Sequence, residues 1–163
     1  MPTDRRIAII IIGGAKAGKS SVIRALTGAG NPTRKGAPKY DLEDRYGNTR
    51  RFLIIHSSPQ EKNIPPTRFL SSRPYDEICK VQHDVLILGL QMNHRWDASQ
   101  YINLLMQQGY DVRVVFIENP TAHLRNYVVS NNIPYIVRLY MQGNTPSDPF
   151  RIAADIRRSV WPP

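Results

Sequence analysis

A chain of 163 residues, 41% apolar and 21% charged, is long enough to bury one core and has the composition of a single globular domain. Its longest apolar run, Ile7 to Ile12, falls far short of the roughly 20 residues that cross a bilayer, and Cys79, the only cysteine, excludes a disulfide framework or thiolate metal site. The net charge of +9 is lopsided: residues 1–80 hold 15 Lys and Arg against 7 Asp and Glu, residues 81–163 only 7 against 6. A field of that sign suits a polyanion such as RNA, although no aromatic-interleaved RNA motif accompanies it and a solvated face has the same composition. With no signal-like segment before Ile7, the expectation is a cytoplasmic protein without a membrane span.

In chain order, Ile7 to Ile12 is a continuous β-branched run, the pattern of a strand buried on both faces of a parallel sheet. Gly13-Gly14 ends it. Ser20 to Leu26 reads as a helix closed by Gly28 and Gly30, and residues 29–38 are loop by composition. Tyr40 to Arg45 and Thr49 to His56 flank Tyr46-Gly47-Asn48 and predict an antiparallel hairpin. Ser57 to Ser72 is polar and proline-broken, which predicts a mobile loop leading into a short helix. Asp84 to Leu90 is a second apolar strand. Asp97 caps the next helix, which Gly109 ends. Val112 to Ile117 and Tyr135 to Tyr140 read as strands around a helix at Ala122 to Ser130, and Asp148-Pro149 starts a last helix with Ile152, Ile156 and Val160 on one stripe. Alternation of this kind predicts one domain with a three-layer α/β sheet, spanning residues 1–163.

The chemistry concentrates in Gly13-Gly14-Ala15-Lys16-Ala17-Gly18-Lys19-Ser20, which matches G-x-x-x-x-G-K-[ST] without a mismatch. Glycines at both ends let successive N–H groups turn inward onto phosphate oxygens, and the following helix adds its positive dipole end. In this pattern Lys19 reaches the β- and γ-phosphates as a point charge, and the Ser20 hydroxyl is placed for Mg²⁺.

Residues 13–28 closely resemble the first motif of the Era and tRNA-modification class of bacterial small GTPases, G-x-x-N-x-G-K-S-S-L-x-N-A-L-x-G. The resemblance implies a P-loop NTPase fold of the Ras-like type, a mostly parallel six-stranded sheet with one antiparallel hairpin strand. It implies GTP or GDP (or ATP) with Mg²⁺ as ligands. The binding residues would be Gly13, Gly14, Ala15, Lys16, Ala17, Gly18, Lys19, Ser20 and Ser21, with Asn119 on the base side and Ser20 and Thr33 on the metal. Lys19 and Lys16 would carry the catalytic charge. Lys16 replaces the Asn that in this class helps hold a potassium ion, so its ammonium would stand where that cation sits; the alternative is a solvent-facing lysine that raises phosphate affinity.

The later motifs depart from the class. The family's D-x-x-G aligns with Ser57-Ser58-Pro59-Gln60, followed by Glu61; the outline is similar to the D-T-P-G-E of GTPase-like proteins from ethanolamine- and propanediol-utilisation operons, without the Asp or the Gly. The guanine-reading [NT]-K-x-D aligns with Asn119-Pro120-Thr121-Ala122, which keeps only the Asn. The expectation is therefore a nucleoside-triphosphate-binding domain, GTP by resemblance, with slow or absent hydrolysis and weak base discrimination. A small nucleoside or nucleotide kinase, with Arg50, Arg51, Arg68 and Arg73 as phosphate clamps, and a non-enzymatic pseudo-GTPase that binds a protein partner are the other readings.

Overall fold

The computed structural model describes residues 5–14, 17–28, 39–44, 46–80, 82–143 and 145–162. One six-stranded sheet organises them, with strands β1 (Ile7–Gly13), β2 (Lys39–Glu43), β3 (Thr49–Ile55), β4 (Val85–Gln91), β5 (Asp111–Phe116) and β6 (Tyr135–Val137). The order across it is β2-β3-β4-β1-β5-β6; β2 pairs antiparallel with β3, and every other pairing is parallel. This is the α/β class expected, mostly parallel with a single antiparallel pair.

Both faces of the sheet are covered, which is why β1 reads as an unbroken apolar run rather than an alternation. Ala8, Ile10 and Ile12 face one core with Tyr101, Ile102 and Leu105 of α2 (Ala98–Gln107) and Leu124 and Val128 of α3 (Ala122–Ser130). Ile7, Ile9 and Ile11 face the other, with Val22, Ile23 and Leu26 of α1 (Lys19–Thr27) and Ile152, Ala153 and Ile156 of α4 (Pro149–Ser159). Each large aliphatic side chain buried this way contributes about 1.5–3 kcal/mol, so the two cores far outweigh any surface ion pair. Asp97, Thr121 and Asp148 cap α2, α3 and α4 by accepting from Ser99 N, Leu124 N and Phe150 N.

Two expectations are corrected. The Ser57–Ser72 segment is packed rather than loose. It enters a 3-10 helix at Pro66–Ser71, followed by another at Tyr75–Cys79, and together they bury Phe69, Tyr75 and Ile78. Ring contacts of Phe69 with Tyr75 and Tyr101 tie the segment to α2. The last strand stops at Val137, although Arg138 N and Tyr140 N still donate to Phe116 O and Ile117 O. Beyond Tyr140 the chain folds back as a small antiparallel hairpin, β7 (Met141–Gln142) with β8 (Thr145–Pro146), around Gly143 in the left-handed region. Gly30, the loop at 29–38 and the Arg45 end of the first hairpin strand lie outside the described residues. Among the described residues, no helix is long and apolar enough to cross a membrane.

Candidate phosphate-binding site

The C-terminal ends of β1, β4 and β5 meet at one edge of the sheet, the place where open α/β sheets bind their ligands. Gly13 ends β1 in register with Gln91 of β4, and Ile12 pairs with Phe116 of β5. Beyond Gly13 the chain turns through the glycine-rich loop into α1. Ala15, Lys16 and Thr33 lie outside the described residues; Ala17, Gly18, Lys19, Ser20 and Ser21 line one cavity, and Gly13 and Gly14 meet the Lys19 ammonium through their carbonyls.

Gly18 is the N-cap of α1 at φ 97°, a left-handed conformation that strains any other L-residue by about 1–2 kcal/mol. A second constraint comes from the ring of Tyr140, half-buried beyond β6: a Cβ on Gly18 would lie 2.5 Å from its carbons. No side chain caps this helix and its first turn holds no acid, so its leading N–H groups are not neutralised by a carboxylate within the turn.

Lys19 departs from expectation. It is a buried residue, 5% exposed, and its Nζ donates to Gly13 O at 3.2 Å and Gly14 O at 2.8 Å. Its stem passes Gly89 of β4, where a Cβ would stand 3.7 Å from Lys19 Cδ and 3.0 Å from His56 O. Burial lowers the Lys19 pKa below the ordinary lysine value; Glu61 and Glu118 oppose that by favouring the charged form.

Two acids to which the motifs assigned no role converge on the loop. Glu118, two residues beyond the end of β5, accepts the Gly14 N–H on Oε2 at 2.9 Å. Asn119, the expected base-side residue, is exposed one position further on, so Glu118 and not Asn119 touches the loop. Glu61 Oε1 lies 3.6 Å from Lys19 Nζ. Because β4 stands between β3 and β1, the chain leaving β3 must pass over the end of β4 to reach the loop. Gln60 secures that passage: its Nε2 donates to Gln91 O and Trp96 O, both at 2.9 Å, and its Oε1 accepts from Gln91 N at 2.7 Å. Glu61 N donates to Ser58 Oγ at 3.1 Å and Gln91 Nε2 donates to Glu61 Oε1 at 3.3 Å. Ser58 itself is fully buried, with its Oγ taken by Glu61 N, and Ser57 O accepts from Tyr75 Oη.

Ala17, Gly18, Lys19, Ser20, Ser21 and Glu61 line a cavity of about 280 Å³. Its polar lining, one ammonium and the open end of a helix can receive a phosphate group. Among the described residues no group of three or more His, Cys, Asp or Glu forms a metal site. The exposed Ser20 hydroxyl is the kind of hard oxygen donor that Mg²⁺ accepts alongside phosphate oxygens, so it fits a cation whose other ligands come from outside the protein. Glu61 was legible as the last position of the D-T-P-G-E outline, without a role; the signal for Glu118, missed in the sequence, was an acid directly after the apolar run Val112 to Ile117.

The remaining candidates fall away from the site. Arg51 pairs with Asp41 on the hairpin, and Arg50 with Asp44. Neither bond turns a guanidinium toward the phosphate cavity. Compared with protein-family models and with curated protein sequences, the chain has no match.

Proposed function

We propose that this chain is a cytoplasmic nucleoside-triphosphate-binding domain of the small GTPase type, with slow or absent hydrolysis. The observation that carries the reading is the buried Lys19, held against the loop carbonyls at the uncapped end of α1 and lining a cavity of about 280 Å³. Burying a lysine costs stability even when, as here, two carbonyls and a carboxylate offset part of the cost, and a phosphate ligand would give the retained charge a use. The loop amides and Lys19 would hold the phosphates, and Ser20 would hold Mg²⁺. When bound, the cation neutralises charge shared between neighbouring phosphate oxygens.

One contact supports slow turnover. The Gln60 amide is committed to Gln91 and Trp96, so it is not available to orient a water. That same commitment favours a second reading, a pseudo-GTPase in which bound nucleotide stabilises a surface for a protein partner or, through the basic first half, RNA. The test is a calorimetric titration with GTP, ATP and their diphosphates, with and without Mg²⁺. Binding of either triphosphate supports the reading, and no binding of any of them overturns it. Discrimination between GTP and ATP is expected below about tenfold, or ~1.4 kcal/mol, because no carboxylate follows Asn119 to pair with guanine donors. A thousandfold preference for GTP would mean that another residue, Glu118 first among them, reads the base.

A further inference from the structure

We infer that Glu61 is the residue by which this site distinguishes a metal-loaded triphosphate from a free one, an inference that rests on the nucleotide-binding reading above. Its carboxylate lies 3.6 Å from the Lys19 ammonium and lines the same cavity as Ser20. The placement is built. Gln60, buried and bonded to both sides of Gln91, pins the turn, while Ser58 Oγ and Gln91 Nε2 hold Glu61 at its backbone and at its carboxylate. At 37% exposure the side chain still has room to turn between the lysine and the mouth of the cavity.

A free triphosphate is a concentrated polyanion. Entering this cavity it must take Lys19 from Glu61 and then remain beside an unpaired carboxylate, a like-charge contact that weakens binding. A triphosphate carrying a divalent cation presents positive charge to the same carboxylate. Glu61 and the Ser20 hydroxyl are both hard oxygen donors of the kind Mg²⁺ accepts. One residue therefore penalises one ligand form and favours the other, and in the absence of nucleotide it serves as the counter-ion of Lys19. Glu118 is not equivalent, because its Oε2 is taken by the Gly14 N–H on the opposite side of the loop. The family motif places its metal-side acid four residues earlier, at a position held here by Ser57, which has no carboxylate.

The experiment measures the affinity of a non-hydrolysable GTP analogue by calorimetry in excess Mg²⁺ and in EDTA, for wild type, Glu61→Gln and Glu61→Asp. Wild type should prefer the metal complex by about tenfold or more, the usual size of coupling between linked ligands. Glu61→Gln should bring that ratio close to one, chiefly by tightening binding in EDTA, and Glu61→Asp should keep part of it. With Mn²⁺ in place of Mg²⁺, the electron-paramagnetic signal of bound metal in the nucleotide complex should weaken in Glu61→Gln. A wild-type ratio in Glu61→Gln overturns the inference while leaving nucleotide binding intact. Equal losses in both conditions overturn it too, because Glu61 would then only support the loop. If wild type binds neither form, the nucleotide-binding reading itself fails.

Discussion

Lys19 meets two opposing demands: burial favours its neutral amine, while a phosphate ligand needs its ammonium. Because its folded pKa lies below 10.5, the unfolded chain binds the extra proton between the two values, and stability rises as pH climbs through that window. Ligand affinity runs the other way. Triphosphate binding should weaken as pH rises through the lowered Lys19 pKa, starting below where a free lysine titrates, and calorimetry from neutral to alkaline pH would show it. Lys19→Met keeps the stem and removes the charge, so melting should be unchanged or raised while triphosphate affinity falls by about a hundredfold or more. Gly18 makes a separate prediction. Gly18→Ala should destabilise by about 1–3 kcal/mol from left-handed strain and overlap with the Tyr140 ring. In a Tyr140→Ala background the overlap is gone and the cost should shrink toward the strain alone, which urea titrations of the four proteins would measure.

At the scale of elements, the β2–β3 hairpin is held at its turn by a carboxylate. Asp44 accepts from Tyr46 N at 2.8 Å, Asn48 N at 2.9 Å, Asn48 Nδ2 at 3.2 Å and Arg50 Nε at 3.0 Å. Burial alone would raise its pKa, but Arg50 and these amides outweigh it and bring the group down to about 2. The stability this provides is fully present above the unfolded value of about 4 and is lost as pH falls through the folded one. Urea midpoints measured from pH 5 to pH 2 should therefore fall less steeply for Asp44→Asn than for wild type. Equal slopes would show that Asp44 is not the titrating support of the turn.

At the scale of the molecule, Trp161 ties the end of the chain to its first half. Its ring stacks on Phe52 of β3 with centroids 5.0 Å apart, its Nε1 donates to Glu43 O of β2 at 3.0 Å, and Arg113 of β5 holds the backbone at Val160 and Trp161. These contacts bring α4 against α1 and close the second core. Trp161→Ala should cost about 3–5 kcal/mol in urea unfolding, the range for large aromatic truncations. Trp161→Phe keeps the stack and gives up one hydrogen bond, about 1 kcal/mol. If the two substitutions cost the same, the stacking is not what secures the C-terminal helix.

Read alone, the chain made most of the elements legible, because each is specified locally. The run at Ile7 to Ile12 has a strand buried on both faces as its ready outlet, and Asp97, Thr121 and Asp148 cap their helices within a few residues of sequence. The glycine-rich loop was legible for the same reason, since its fixed positions answer to its own backbone angles. What local signals do not carry is which strand lies beside which. Insertion of β4 between β3 and β1 is decided by packing across the whole sheet, and that insertion brings Gln91, Gln60 and Glu61 to the loop. Burial of Lys19 and its hold on the Gly13 and Gly14 carbonyls depend likewise on Gly89 from a distant strand. The sequence by itself determined that a phosphate-type loop leads from a buried strand into a helix. Only the tertiary structure decided which charges surround it, because those charges come from three strand ends that meet across the sheet.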